Sequence, residues 1–174
     1  MSARPAVLAD KGALRRRSLL GLAALAPLAA LAAPKALAQE GPQPKLPTEP
    51  LTIVTRDGTR QEFQVEMALD PQQQTVGLMF RPTVGPNEGM LFDWGQPRES
   101  TMWMRNTIAS LDMVFITQTG TVLRIAERTV PRSLATISSN GPVRATLELA
   151  AGTAERLGIR VGDKVEQRIF NTAR

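Results

Sequence analysis

The chain of 174 residues contains no cysteine, no histidine and no tyrosine. Without cysteine there is no disulfide, thiolate metal site or thiol nucleophile. Without histidine there is no imidazole ligand for zinc and no Ser-His-Asp triad. Without tyrosine no phenol can act as an acid. Lysine is scarce as well, and Lys164 is the only one within residues 51–170. The remaining catalytic side chains are Asp, Glu, Ser, Thr and that lysine, so the residues lean away from enzymatic activity, and no cofactor or metal is expected. Long apolar runs are also lacking. The longest, residues 19–33, is short of the roughly 20 residues that cross a bilayer.

A basic surplus is missing from most of the chain too. The formal charge is +5, but of 21 basic and 16 acidic residues, six basic and one acidic fall within residues 1–38, leaving 15 of each in 39–174. A neutral domain offers no surplus to phosphates, which excludes nucleic acid as the expected partner.

The basic leader reads as an export signal. Arg15-Arg16-Arg17-Ser18-Leu19-Leu20 precedes the apolar run, and Ala36-Leu37-Ala38 supplies a small-x-small cleavage pattern before Gln39. The Arg16-Arg17 pair resembles a twin-arginine signal, and a general secretory signal is the alternative. The expectation is a periplasmic or secreted protein, cleaved after Ala38, with no stable membrane span. Residues 39–50 hold Pro42, Pro44, Pro47 and Pro50 and read as an extended linker. Residues 51–170 then form one domain of ordinary size.

Within that domain the apolar period is mostly two. Phe63, Val65 and Met67 alternate with polar residues and share a strand face. Asp57-Gly58 marks a hairpin turn back to a strand at 51–55. Residues 111–117 are nearly all apolar, as in a strand buried on both faces. Thr119-Gly120 turns the chain into 122–126, residues 144–149 alternate again, and 164–170 reads as a last strand. Asp70-Pro71 caps a short helix reaching about Met79, and a second short helix lies between Gly152 and Gly158. Residues 82–89 and 131–142 read as loops. The sum is a mainly β domain, a barrel-like or rolled antiparallel or mixed sheet with two short helices.

Four successive pieces, Gly77-Leu78-Met79-Phe80-Arg81, Gly89-Met90-Leu91-Phe92, Trp103-Met104-Arg105-Asn106-Thr107 and Leu111-Asp112, resemble the DUF192 (UPF0127) family. Leu147-Glu148-Leu149, Ala151-Gly152, Leu157-Gly158-Ile159 and Gly162-Asp163 extend the resemblance over residues 60–168. Arg105 stands where the family commonly has lysine, and Met102 where it commonly has an aromatic. The resemblance implies a fold and agrees with export. It carries no activity, cofactor or site residue with it.

The candidate residues therefore come from their own chemistry. If 101–105 is extended, Met102 and Met104 share a core face, while Trp103 and Arg105 turn outward as a platform for a planar or anionic ligand. The plain alternative makes Trp103 a core plug. Asn106 and Thr107 follow, suited to turn hydrogen bonds or to a ligand. Asp112 sits in an apolar run and must be paired, with Arg81, Arg105 or backbone N–H groups as partners. Glu148, between Leu147 and Leu149, reads as a solvated glutamate by default. A polar site formed by Arg81, Asp112 and Asn106 is the sharper alternative.

The leading expectation is a binding module with a pocket of Trp103, Asn106, Thr107, Arg81 and Asp112, with Arg105 and Glu148 nearby, for a small ligand or an envelope protein. The runner-up is a carboxylate-dependent hydrolase of an envelope substrate, using Asp112 with Glu148 or Glu88 with Asp93. A structural, partner-binding envelope factor is the third. Met102-x-Met104 also resembles a Cu(I)-binding pattern, against the common role of methionine as core filler.

Overall fold

The structure, a computed structural model, describes residues 41–171. The expected leader and its cleavage point after Ala38 lie outside the described residues.

Seven strands, β1 (Thr48–Val54), β2 (Arg60–Ala68), β3 (Glu88–Met102), β4 (Leu111–Ile116), β5 (Val122–Ala126), β6 (Ile137–Ala150) and β7 (Lys164–Glu166), form one sheet. Its order is β5-β4-β6-β3-β2-β1-β7. Only β2 and β3 are parallel, because the chain between them crosses over through α1 (Pro71–Val76) and a loop. A second short helix, α2 (Thr153–Leu157), precedes β7. The mainly β fold with a rolled mixed sheet and two short helices is the one expected.

The roll has a physical cause at its seam. β5 and β7 are opposite edges of the sheet, yet Thr121 bridges to Lys164. Val165 N–H donates to the Gly120 carbonyl at 2.7 Å, and Val122 N–H donates to that of Asp163 at 2.9 Å. A Cβ at position 120 would meet the Val165 carbonyl oxygen at 2.6 Å, so only glycine lets the edges meet this closely.

Both faces of the central strands are covered. Val114, Ile116, Leu147 and Leu149 pack with Leu51, Ile53, Phe63 and Val165 in one core. Leu111, Met113 and Phe115 face the other way, joining Met90, Phe92, Leu78 and Met104 in a second core. This is why all six residues of β4 are buried, as its apolar run predicts.

Three elements depart from expectation. The linker expected at 39–50 is laid against the domain from residue 41 onward. Gln43 Nε2 donates to the Gly77 carbonyl at 2.9 Å, Leu46 N–H donates to Glu66 Oε2 at 2.7 Å, and Thr48–Pro50 already belong to β1. Proline permits such an extended edge, and the binding comes from polar and backbone groups that composition does not register. The 131–142 loop is strand from Ile137 on, and Pro142 fits there because the β3–β6 register slips between Glu99 and Thr101. The last strand stops at Glu166, where Gln167 caps a 3₁₀ turn over Arg168–Phe170.

Candidate functional site: a cleft floored by Glu148

The outer core opens into a cleft of about 420 Å³ between α1 with the turn that follows it and the distal half of β3. Its helical wall is fixed by a reciprocal cap. Asp70 Oδ1 accepts from Gln73 N–H at 2.9 Å, and Gln73 Oε1 accepts from Asp70 N–H at 3.2 Å. Gln74 Nε2 then donates to the Asp93 carbonyl at 2.7 Å, pinning α1 to β3. The helix ends at Gly77, where an added Cβ would lie 2.9 Å from the Phe92 ring and 3.7 Å from Glu148 Oε2. Glycine here keeps the wall one methyl group short, directly beside the carboxyl. The next segment is strained: Phe80 has φ +62°, and its N–H donates to the carbonyl of Asn106, itself at φ +56°.

The opposite wall is aromatic and basic. Phe92 and Trp94 lie with ring centroids 5.7 Å apart. The Arg98 guanidinium covers the Trp94 ring at 4.4 Å, and Trp94 Nε1 donates to Thr146 Oγ1 at 3.2 Å. Trp103 completes this wall, 44% exposed, with Arg105 over its ring at 5.5 Å. Thr101, Met102 and Thr107 fill the space between.

Glu148 forms the floor, and the expectation of a solvated glutamate is corrected here. It is buried, and its Oε2 has no hydrogen-bond partner. In the sheet its neighbours across the strands are Met90 and Met113. Burial without a compensating charge pushes its carboxyl up to about 8. The alternation of Leu147, Glu148 and Leu149 was a sound guide to which face each residue occupies. It says nothing about what covers the second face, and here that cover is another apolar layer.

The structure divides the other candidates. Trp103, Thr107 and Glu148 line the cleft, and Arg105 reaches it over Trp103. Asn106 contributes its carbonyl to the Phe80 turn and leaves its side chain exposed. Arg81 and Asp112 do not meet. Arg81 forms a two-pronged ion pair with Glu66, the second contact at 2.9 Å. Burial would raise the Glu66 carboxyl, but Arg81 and the Leu46 N–H together bring it below its usual range. Asp112 is wholly buried and accepts from Arg128 N–H at 2.8 Å, Gly152 N–H at 3.1 Å and Ala154 N–H at 2.9 Å. These bonds make it an architectural carboxylate, so the polar site of Arg81, Asp112 and Asn106 is not formed. Met102 and Met104 point into the core, as does every other methionine from Met67 to Met113. Among the described residues no cluster of Asp and Glu suits a metal ion.

Trp94 and Arg98 escaped the sequence reading. The available signal was scarcity, since the chain has two tryptophans and each has an arginine close by. A larger depression of about 540 Å³ near Arg56 and Arg160 has no comparable floor. Its carboxylates are satisfied, Asp57 by Thr55 and Thr59, and Asp163 by Arg160 N–H.

Fold and cleft define a small rolled-sheet domain with an outer apolar layer opened over a single carboxyl. That class has a known family: residues 52–167 match the model of DUF192, described as an uncharacterized ACR, and the chain belongs to it. A search of curated proteins gave no match. Two crystal structures are similar. One, from Sinorhizobium meliloti 1021 and described as "a putative transcription regulator", is 43% identical, with a TM-score of 0.71 over 73% of this chain and 98% of its own. The other, a protein of unknown function from Novosphingobium aromaticivorans DSM 12444, is 39% identical, with a TM-score of 0.69 over 75% of this chain and 94% of its own.

Proposed function

We propose that the domain is a binding module and that its ligand is a small organic molecule seated in the Glu148 cleft. One observation carries this reading: a buried carboxyl oxygen without a partner lies in the wall of an open cleft. Leaving such an atom unbonded costs about 1–3 kcal/mol, a penalty that a ligand group removes on binding. Neutral at pH 7, Glu148 can donate a hydrogen bond to a carbonyl or similar acceptor. Phe92, Trp94 and Trp103 offer flat apolar walls, and Arg98 can meet an anionic substituent at the rim.

Hydrolysis by a carboxylate pair gains nothing from this geometry. Glu148 is the only acid lining the cleft, Asp93 is ion-paired with Arg144 at 2.6 Å, and Glu88 faces Lys45 at 3.7 Å. The neutral charge of residues 39–174 likewise argues against DNA, the natural target of a transcription regulator.

The test is a screen of small carbonyl- and carboxylate-bearing compounds, read by tryptophan emission and melting temperature. A hit should lose about tenfold in affinity or more with Trp103→Ala and with Glu148→Leu at pH 7, while Asp57→Asn leaves it unchanged. A hit that binds all four proteins equally sits elsewhere and sinks the reading.

A further inference from the structure

Six large apolar side chains are exposed among the described residues, and four of them, Trp103 (44%), Ile108 (36%), Val130 (69%) and Leu134 (70%), lie on two neighbouring loops. The loops, 103–110 and 128–136, are tied into one face. Met104 N–H donates to the Ser133 carbonyl at 3.1 Å, Arg132 N–H to that of Thr107 at 2.9 Å, and Ser110 Oγ to that of Thr129 at 2.7 Å. We propose that this face docks on an anionic lipid surface.

Charge selects that occupant. Neither loop contains a carboxylate. Arg105 and Arg132 are exposed, and neither forms an ion pair among the described residues. The nearest acids in sequence are spent, Glu127 on Arg128 and Asp112 on backbone N–H groups. The domain is neutral overall, yet beside its exposed apolar tips stand two exposed guanidiniums, with no carboxylate in either loop.

A protein interface concentrates apolar residues and depletes charge at its centre. Here single apolar tips alternate with guanidiniums. That pattern suits a bilayer surface, where tryptophan and aliphatic tips enter the headgroup region and arginine meets phosphate. Two copies of this face would set arginine against arginine. Docking by these loops turns the Trp103 end of the Glu148 cleft toward the lipid, but the proposal does not depend on the cleft holding a ligand.

Trp103 reports on it directly. In a Trp94→Phe chain it is the sole tryptophan, and the protein has no tyrosine. Phosphatidylglycerol vesicles should shift its emission to shorter wavelength, while pure phosphatidylcholine vesicles should not. The shift should vanish with Leu134→Asp, and vesicle affinity should fall about fivefold for each of Arg105→Gln and Arg132→Gln and decline with added salt. These side chains are exposed, so the variants should melt as the parent does. An unchanged emission on anionic vesicles overturns the proposal, even if the protein sediments with them, because another segment then holds the lipid. An equal shift on neutral vesicles overturns it too. So does self-association that Leu134→Asp disperses, which would make a second copy the occupant.

Discussion

A carboxyl that keeps its proton to about pH 8 makes the folded state prefer acid. In the unfolded chain Glu148 ionises near its ordinary value of 4.5. Between those values the folded protein binds one proton more than the unfolded one, so stability falls as pH rises and levels off above pH 8. The loss reaches roughly 3 kcal/mol by pH 7. Urea midpoints of the parent should therefore drop from about pH 5 to about pH 8, and Glu148→Gln should flatten that slope. Parallel profiles for the two proteins would mean that the carboxyl is not held neutral. At this scale the sequence was half legible. Reading 101–105 as extended put Met102 and Met104 inward and Trp103 outward, and their burial agrees although β3 ends at Met102. It also placed Glu148 opposite Leu147 and Leu149, but could not show that α1 and residues 77–79 cover that side, since their path depends on contacts distant in sequence.

Asp112 joins three elements. Through Arg128 N–H it holds the turn after β5, and through Gly152 and Ala154 N–H it holds the start of α2, all from β4. Asp112→Asn presents an NH₂ group where only acceptors fit, so it should cost about 3 kcal/mol in chemical denaturation while leaving cleft binding intact. Normal stability with lost binding would return Asp112 to the functional site. The need for a partner was plain from a charge in an apolar run; the partner's identity was not, because N–H groups leave no mark in a sequence. The hairpin at Asp57-Gly58, the capped α1 and the doubly buried β4 were readable because each rests on local chemistry. β3 was not, since Gly95, Pro97 and two register shifts break its period over 15 residues.

For the molecule as a whole, residues 41–47 act as a brace rather than a tether. They bond to α1 through Gln43, to Glu66 through Leu46 N–H and to Met67 through the Pro47 carbonyl at 3.0 Å. A chain beginning at Thr48 should fold and lose about 2–3 kcal/mol, seen as a lower melting temperature. An unchanged melt would restore the view of a passive connector.

The seam that joins β7 to the Gly120 turn also sets an order of events during synthesis. Of the described strands β1 is the first to leave the ribosome and β7 the last, yet β7 covers the edge of β1 along Thr52–Val54. Until residues 164–166 emerge, that edge is a free template for another nascent chain, the usual hazard of an unpaired strand. Residues 164–166 therefore guard the Thr52–Val54 edge against other copies, and a ribosome that stalls before Lys164 releases a product with that edge still bare.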